Sequence, residues 1–225
     1  MNIYAFGDIH GEIFKLKALY SRLDIKEDDM LVFLGDYIDR GKSSFEVIDF
    51  LCDLSEEHDC VFIRGNHEAM LRDYMSGRDY EHLFWYNGGM ITVDSYSEHG
   101  YVITEHESYI PDRHMRFFQN LKRYYETDDY IFVHAGIASG PLDRLPDDIL
   151  YWNRAFNQII YNGPKVVVYG HTPNNKILNE KYKICIDTGA CYDSMGDLTC
   201  VKLPERVFYR QGWTMEDEEH DRDDN

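Results

Sequence analysis

The chain has 225 residues, 44% of them hydrophobic, and a formal net charge of −18. That length and apolar fraction fit one packed domain, and the longest apolar runs, residues 31–34 and 166–169, are strand-sized and cannot cross a membrane. Residues 216–225 hold seven acids against Arg222, which is −6 of the charge; the −12 left over excludes a nucleic-acid-coating surface, although bound cations and local Arg residues could still field an anionic substrate.

In chain order, residues 3–6 read as a strand and residues 12–23 as a helix, with Ile13, Leu16, Leu19, Tyr20 and Leu23 at helical spacing. A second strand covers 30–34. A helix then runs from Ser43 and Ser44 to Leu54, with Ser43 and Glu46 in a capping-box pattern. A third strand at 61–63 precedes a helix at 68–75. The aromatic-rich stretch 80–125 holds helices near 90–98 and 113–121. Strands resume at 130–133, 166–169, 184–186, 199–202 and 207–209. Strand and helix alternate early and strands dominate late, which predicts an α/β layered sandwich of mixed β-sheets flanked by helices. A single domain is expected over 1–212, followed by an acidic, disordered tail over 213–225. Five Cys with no Cys-x-x-Cys pair read as buried thiols. No basic-then-apolar segment precedes the first strand, so a cytoplasmic protein without membrane association is expected.

Four of these segments share one shape, a β-branched or aromatic run, a Gly, then a metal-competent side chain, and in a fifth the side chain follows the run directly. They supply Asp8 and His10 in Gly7-Asp8-Ile9-His10-Gly11, Asp36 in Gly35-Asp36-Tyr37-Ile38-Asp39-Arg40-Gly41, and Asn66 and His67 in Gly65-Asn66-His67-Glu68. His134 in Val133-His134-Ala135-Gly136 and His171 in Gly170-His171-Thr172-Pro173 complete the set. Strands deliver ligands in this way to the carboxyl edge of a sheet. A lone Asp or His after a strand is more often a turn former, but seven in ordered series are not. Asp8 and His10 can point at one ion, Asp36 can bridge two, and Asn66, His134 and His171 suit the second. Oxygen and imidazole donors without thiolate favour Mn, Fe, Zn or Co over Ca or a structural Zn site. Two ions about 3.5–4 Å apart would activate a bridging water and clamp phosphoryl oxygens.

His67 follows a ligand and is the candidate general acid, with Asp39 orienting and charging it. Arg40, Arg64 and Arg154 are candidate phosphate clamps; for Arg154 a helix-surface salt bridge is the competing role. His58, His82, His99, His106, His114 and His220 lack motif context and are expected on the surface. The Tyr and Trp cluster between Tyr74 and Tyr130 reads as packing and lid structure ahead of base stacking. Asp187 can support the metal site or form the turn at Asp187-Thr188-Gly189.

At these motifs the sequence resembles the phosphoprotein phosphatase family of metallophosphoesterases, nearest its small bacterial and phage type, from Ile3 to about Lys202. Trp85-Tyr86-Asn87-Gly88-Gly89, Trp152-Asn153-Arg154 and Ile186-Asp187-Thr188-Gly189-Ala190 match its secondary motifs. The resemblance implies the metallophosphoesterase sandwich, with Asp8, His10 and Asp36 on one metal and Asp36, Asn66, His134 and His171 on the other. It implies two divalent ions, Mn first and Fe, Zn, Co or Ni as alternatives. It also implies in-line attack of a metal-bridging hydroxide, His67 with Asp39 as acid, and phosphate contacts from Arg40, Arg64 and Arg154. Pro173 replaces the last His of the Gly-His-x-His in which many metallophosphoesterases end, and Asp39-Arg40-Gly41 likewise points away from cyclic-nucleotide phosphodiesterases. The expected substrate is a phosphoserine or phosphothreonine protein, with phosphotyrosine and small aryl phosphates behind it. The alternatives are a symmetrical diadenosine tetraphosphate or other nucleoside polyphosphate hydrolase and, from another class, a non-catalytic scaffold of the same fold.

Overall fold

Alternation along the first strands sets the layers. Ile3, Ala5, Met30 and Val32 turn into one buried cluster while Tyr4, Phe6, Leu31 and Phe33 turn into another. Strands covered on both faces are what a parallel sheet under helices requires. The structure, a computed structural model, describes residues 1–79, 82–138, 140–192, 196–211 and, for the backbone, 213–214.

The elements in the first half are β1 (Ile3–Phe6), α1 (Ile13–Tyr20), β2 (Met30–Phe33), α2 (Ser44–Glu57), β3 (Asp59–Phe62) and α3 (Asn66–Met75). Then come α4 (Leu83–Tyr86), α5 (Gly89–Glu98), α6 (Asp112–Asn120), β4 (Tyr124–Glu126), β5 (Tyr130–Val133), α7 (Asp147–Trp152) and β6 (Val166–Tyr169). β7 (Leu178–Asn179), β8 (Lys183–Cys185), β9 (Thr199–Leu203), β10 (Val207–Arg210) and β11 (Trp213–Thr214) follow, and short 3-10 helices span Leu142–Arg144 and Arg154–Gln158.

One sheet has six strands in the order β11-β10-β9-β1-β2-β3 and the other five in the order β4-β5-β6-β8-β7. β1, β2 and β3 are parallel, as are β5, β6 and β8; the remaining pairings are antiparallel. Phe132, Val168 and Ile184 of the second sheet meet Ala5, Val32 and Val201 of the first in the central cluster. α1, α2, α3 and α6 cover the outer face of the first sheet, and α7 with Phe156 covers that of the second. The expected layered α/β sandwich is therefore the fold. Among the described residues no helix is long and apolar enough to cross a membrane.

Several local expectations change. α1 stops at Tyr20, where Arg22 N–H to Leu19 O and Leu23 N–H to Tyr20 O tighten the chain into three-residue turns. Ser43 makes no side-chain cap; the buried Ser44 hydroxyl instead accepts Asp39 N–H at 3.2 Å. His114 is not a surface residue: it is fully buried between Tyr96 O–H (2.9 Å) and Asp49 Oδ1 (3.0 Å). The aromatic cluster is largely core, with Tyr74, Phe84, Tyr96 and Phe117 packed over α2 and α3. Trp213 and Thr214 pair with Arg210 and Tyr209, so these first residues of the expected tail belong to a strand; the acidic stretch from Glu216 onward lies outside the described residues.

Candidate metal centre

All five loops that carry the candidate ligands leave the carboxyl ends of parallel strands. Asp8 follows β1, Asp36 follows β2, Asn66 opens α3 after β3, His134 follows β5 and His171 follows β6. Backbone bonds knit these loops together: Ile9 and His10 N–H both reach Asp36 O (3.0 and 2.8 Å), and Gly170 N–H reaches His134 O (2.7 Å). At Asn66 and His171 the preceding Gly has a steric cause. A Cβ at Gly65 would lie 2.1 Å from Asp36 Oδ1, and one at Gly170 would lie 2.0 Å from Asp8 Oδ1, so a side chain there would occupy the carboxylates' own space.

Two groups of candidate ligand atoms, His10/Asp36/His67 and Asp36/His134/His171, each lie within 4.8 Å of one another. Asp36 belongs to both. It is buried, and although burial opposes ionisation, the imidazoles of His134, His67 and His10 hold its pKa well below the ordinary range. His10 Nδ1 faces Ile38 O at 2.9 Å and His134 Nδ1 faces Leu34 O at 2.9 Å. In the neutral rings that a cation would require, a proton donated to each carbonyl leaves both Nε2 atoms as lone pairs toward the site. Asn66 Oδ1 stands 3.0 Å from both His134 Nε2 and His171 Nδ1. Burial lowers His134's pKa, but Asp36 beside it outweighs that and pushes it up to about 10. Burial, with the His134 charge, takes His171 down to about 3. A convergence of acceptors that demands positive charge is the chemistry of a divalent-cation site, and its N and O donors without thiolate fit Mn, Fe, Zn or Co.

Asp8 is placed differently from the other ligands. It falls outside both groups, and its carboxylate accepts His171 N–H at 3.2 and 3.0 Å. Burial and the neighbouring Asp187 raise its pKa well above the usual value. Asp187 forms the turn, accepting Gly189 N–H at 3.0 Å, and is also Asp8's electrostatic neighbour.

A match to the calcineurin-like phosphoesterase family model covers residues 1–201. The chain belongs to the calcineurin-like phosphoesterase family. It is similar to proteins named bis(5'-nucleosyl)-tetraphosphatase PrpE [asymmetrical]. The Bacillus subtilis protein is 26% identical, with 88% of this chain and 89% of that one covered. The Geobacillus thermodenitrificans protein is 27% identical, with 91% of each covered. Among solved structures, a putative diadenosine tetraphosphatase superposes with TM-score 0.69 at 21% identity over 94% of each chain. A cold-active protein tyrosine phosphatase of a psychrophilic Shewanella superposes at 0.65, with 18% identity over 93% of this chain and 77% of that one. These likenesses support the fold.

In this phosphoesterase, His67 and Asp39 sit together, sealed from solvent, with Nδ1 2.6 Å from Oδ2. Thr92 O–H donates to the other Asp39 oxygen at 2.5 Å. Burial raises Asp39's pKa, yet both oxygens receive donors, which identifies a carboxylate with the shared proton on His67. Burial lowers His67's pKa, but Asp36 and the Asp39 bond more than offset it and the net direction is up.

The three arginines diverge. Arg40 reaches the centre: Nη1 lies 3.1 Å from His10 Nε2 and Nη2 3.3 Å from His67 Nε2. Arg154 is exposed, and its charge adds to the lowering of His171. Arg64 turns its guanidinium to Leu121 O at 3.4 Å and lines a groove with Met115 and Phe118; no bond from it to the ligands is present among the described residues.

Sequence reasoning missed three supports. Glu68 accepts N–H from Asp36 (3.0 Å), Tyr37 (2.8 Å) and Gly65 (2.9 Å). Burial, with Asp36, raises its pKa to about 7, but three converging donors call for the carboxylate. Its place in Gly-Asn-His-Glu was the available signal. Thr92 had none, lying 53 positions from Asp39. Tyr192 receives Arg40 Nη1 at 3.1 Å and lies under the guanidinium, 5.6 Å from its ring centre.

Proposed function

We propose that this phosphoesterase hydrolyses nucleoside polyphosphates of the dinucleoside tetraphosphate type, using two divalent cations held by Asp8, His10 and Asp36 on one side and Asp36, Asn66, His134 and His171 on the other. Mn is the metal of choice. The observation that carries the two-ion reading is Asp36, shared by both ligand groups. Bound ions would supply Lewis-acid stabilisation of the phosphoryl charge and a water of lowered pKa.

The chain's own residues supply the rest. Arg40 offers the phosphate a planar donor fork, and Arg154 approaches from the second sheet's side. Arg64 is better read as a brace for the Leu121 turn than as a clamp. His67 carries the proton given to the leaving oxygen, and Asp39, held by Thr92 and Ser44, keeps it oriented and charged. One catalytic domain, extending from the expected limit of residue 212 to include strand β11, contains all of these groups.

The substrate assignment rests on relatives that span 88–92% of the chain and carry the tetraphosphatase name. Their asymmetrical cleavage, in place of the symmetrical one, is carried into the proposal. Protein phosphatase activity is the second reading. It is favoured by Asn87-Gly88-Gly89, whose Gly88 packs against the Arg40 backbone, with its Cβ position 3.2 Å from Arg40 N. Side-by-side rates with Mn²⁺ on diadenosine tetraphosphate, a phosphoserine peptide and p-nitrophenyl phosphate test the two. The first reading expects the dinucleotide to be cleaved fastest, to ATP and AMP. Two ADP would reverse the cleavage mode, and a faster phosphopeptide would install the second reading.

A further inference from the structure

Lys183 is a cation inside the second sheet. It lies on β8 at 1% exposure. Its Nζ donates to three backbone carbonyls, Phe156 (3.2 Å), Asn157 (3.2 Å) and Ile159 (2.8 Å). An ammonium has three donors and no acceptor, so these carbonyls satisfy it, and Glu180 Oε2 at 3.4 Å balances its charge. Burying a charge is tolerated only with such partners. An apolar residue would fill the same strand position without needing them, so the ammonium's distinctive work is to hold that backbone.

The backbone it holds is the end of the 3-10 helix Arg154–Gln158. The last carbonyls of a helix lack intrahelical partners, and Lys183 gathers them from below. Phe156, between those carbonyls and Arg154, is wedged in place. Its ring centre is 5.0 Å from that of Tyr169, and the Cβ position of Gly136 is 2.6 Å from its own Cβ. At the other end, Trp152 stands edge-on to His171 with ring centres 6.1 Å apart. Arg154 thus occupies the span between two fixed points, one at the metal ligand His171 and one at Lys183.

We infer that Lys183 is a positioning residue for Arg154: its buried ammonium fixes the 3-10 turn that presents this guanidinium to the substrate phosphate. The inference rests on the reading of Arg154 as a phosphate contact, and the experiment separates the two. Lys183→Met, Lys183→Arg, Arg154→Ala and the double variant Lys183→Met/Arg154→Ala are loaded with Mn²⁺. Metal content, melting temperature, KM and kcat for p-nitrophenyl phosphate and the inhibition constant of inorganic phosphate are measured for each.

Lys183→Met should weaken phosphate inhibition on the order of tenfold, as for coupled neighbours in one network, and raise KM more than it lowers kcat, with metal content unchanged. Lys183→Arg should recover part of the loss. The double variant should be no worse than Arg154→Ala alone. Wild-type phosphate inhibition in Lys183→Met, or additive losses in the double variant, overturns the inference while leaving Arg154's role intact. Wild-type inhibition in Arg154→Ala removes that role and the inference with it. Should Lys183→Met not fold, Lys183→Gln, which keeps a donor toward the same carbonyls, replaces it; failure of both to fold assigns Lys183 to stability alone and also overturns the inference.

Discussion

Asp39→Asn isolates the part of catalysis that depends on a charged His67. The two side chains meet at 2.6 Å with no exposure, and the bond is one of the forces that raise His67's pKa against burial. A hydrogen bond to a charged group contributes about 1.5–3 kcal/mol, and one pKa unit corresponds to about 1.4 kcal/mol. Exchanging carboxylate for amide should therefore lower the imidazole pKa by roughly one to two units. The charged form is complete below the folded pKa and is lost as pH rises through it. The alkaline limb of the rate profile should thus move toward lower pH by that interval, and between the old and new limbs the rate should fall roughly 10- to 10²-fold. The loss should depend on the leaving group, because a serine alkoxide needs a proton and p-nitrophenolate does not. The assay is kcat/KM against pH for a phosphoserine peptide and p-nitrophenyl phosphate, with metal content determined on the same samples. His67→Asn should show the larger form of the effect, on the order of 10²–10⁴ on the peptide, with both metals retained. Equal slowing of both substrates, or loss of metal from either variant, would refute the role given to the pair.

Asp36→Asn should strip more metal and activity than Asp8→Asn, since Asp36 alone belongs to both ligand groups; elemental analysis showing equal content in the two variants would deny the bridge. Glu68→Gln offers one acceptor oxygen to three N–H donors and turns an amide N–H₂ toward at least one of them. At about 1–3 kcal/mol per buried donor left unpaired, thermal melts should show a clear loss of stability, and an unchanged melting temperature would mean the three bonds are dispensable. Chelation should abolish activity and Mn²⁺ restore it. Because burial raises Asp187's pKa to about 6 and Asp8's well above normal, ion binding should release protons and weaken as pH falls through about 6. Calorimetry in buffers of different ionisation heat reads that release directly, and a pH-independent affinity would count against these carboxylates lying at the site.

Much of the candidate centre was legible because each candidate ligand sits in its own local context. Gly65 and Gly170 are needed where a carboxylate from another loop occupies the Cβ position, and that need is written next to Asn66 and His171. What a local context cannot report is the direction of a long side chain. Arg64 is two residues before a ligand, yet its guanidinium turns to Leu121 O; Arg40, four residues after one, reaches His10 and His67. Nor can it report partners brought in by the fold. Thr92 on Asp39 and Asp49 on His114 come from 53 and 65 positions away, so one support was missed and one buried histidine was placed on the surface. α4 has only four residues and β4 only three, too short for hydrophobic periodicity to register.

The backbone carries a further mark of function that no residue pattern displays. Among the described residues, eight non-glycine positions have left-handed φ, and five of them are His10, Asp36, Asp39, Arg40 and His171. Each such residue costs about 1–3 kcal/mol and persists only where its surroundings over-determine it. Those surroundings are visible here. Asp36 is gripped by Glu68 through its own N–H and by Ile9 and His10 through its carbonyl, Asp39 N–H is held by Ser44 and Thr92, and His171 N–H by Asp8. These grips come from other segments of the chain, so His10, Asp36, Asp39 and His171 cannot relax without breaking a bond to one of them. The candidate ligands are therefore held in place by the chain itself, and the sharp turns that carry them bring side chains from two sheets to a single point, which regular strand ends would not do.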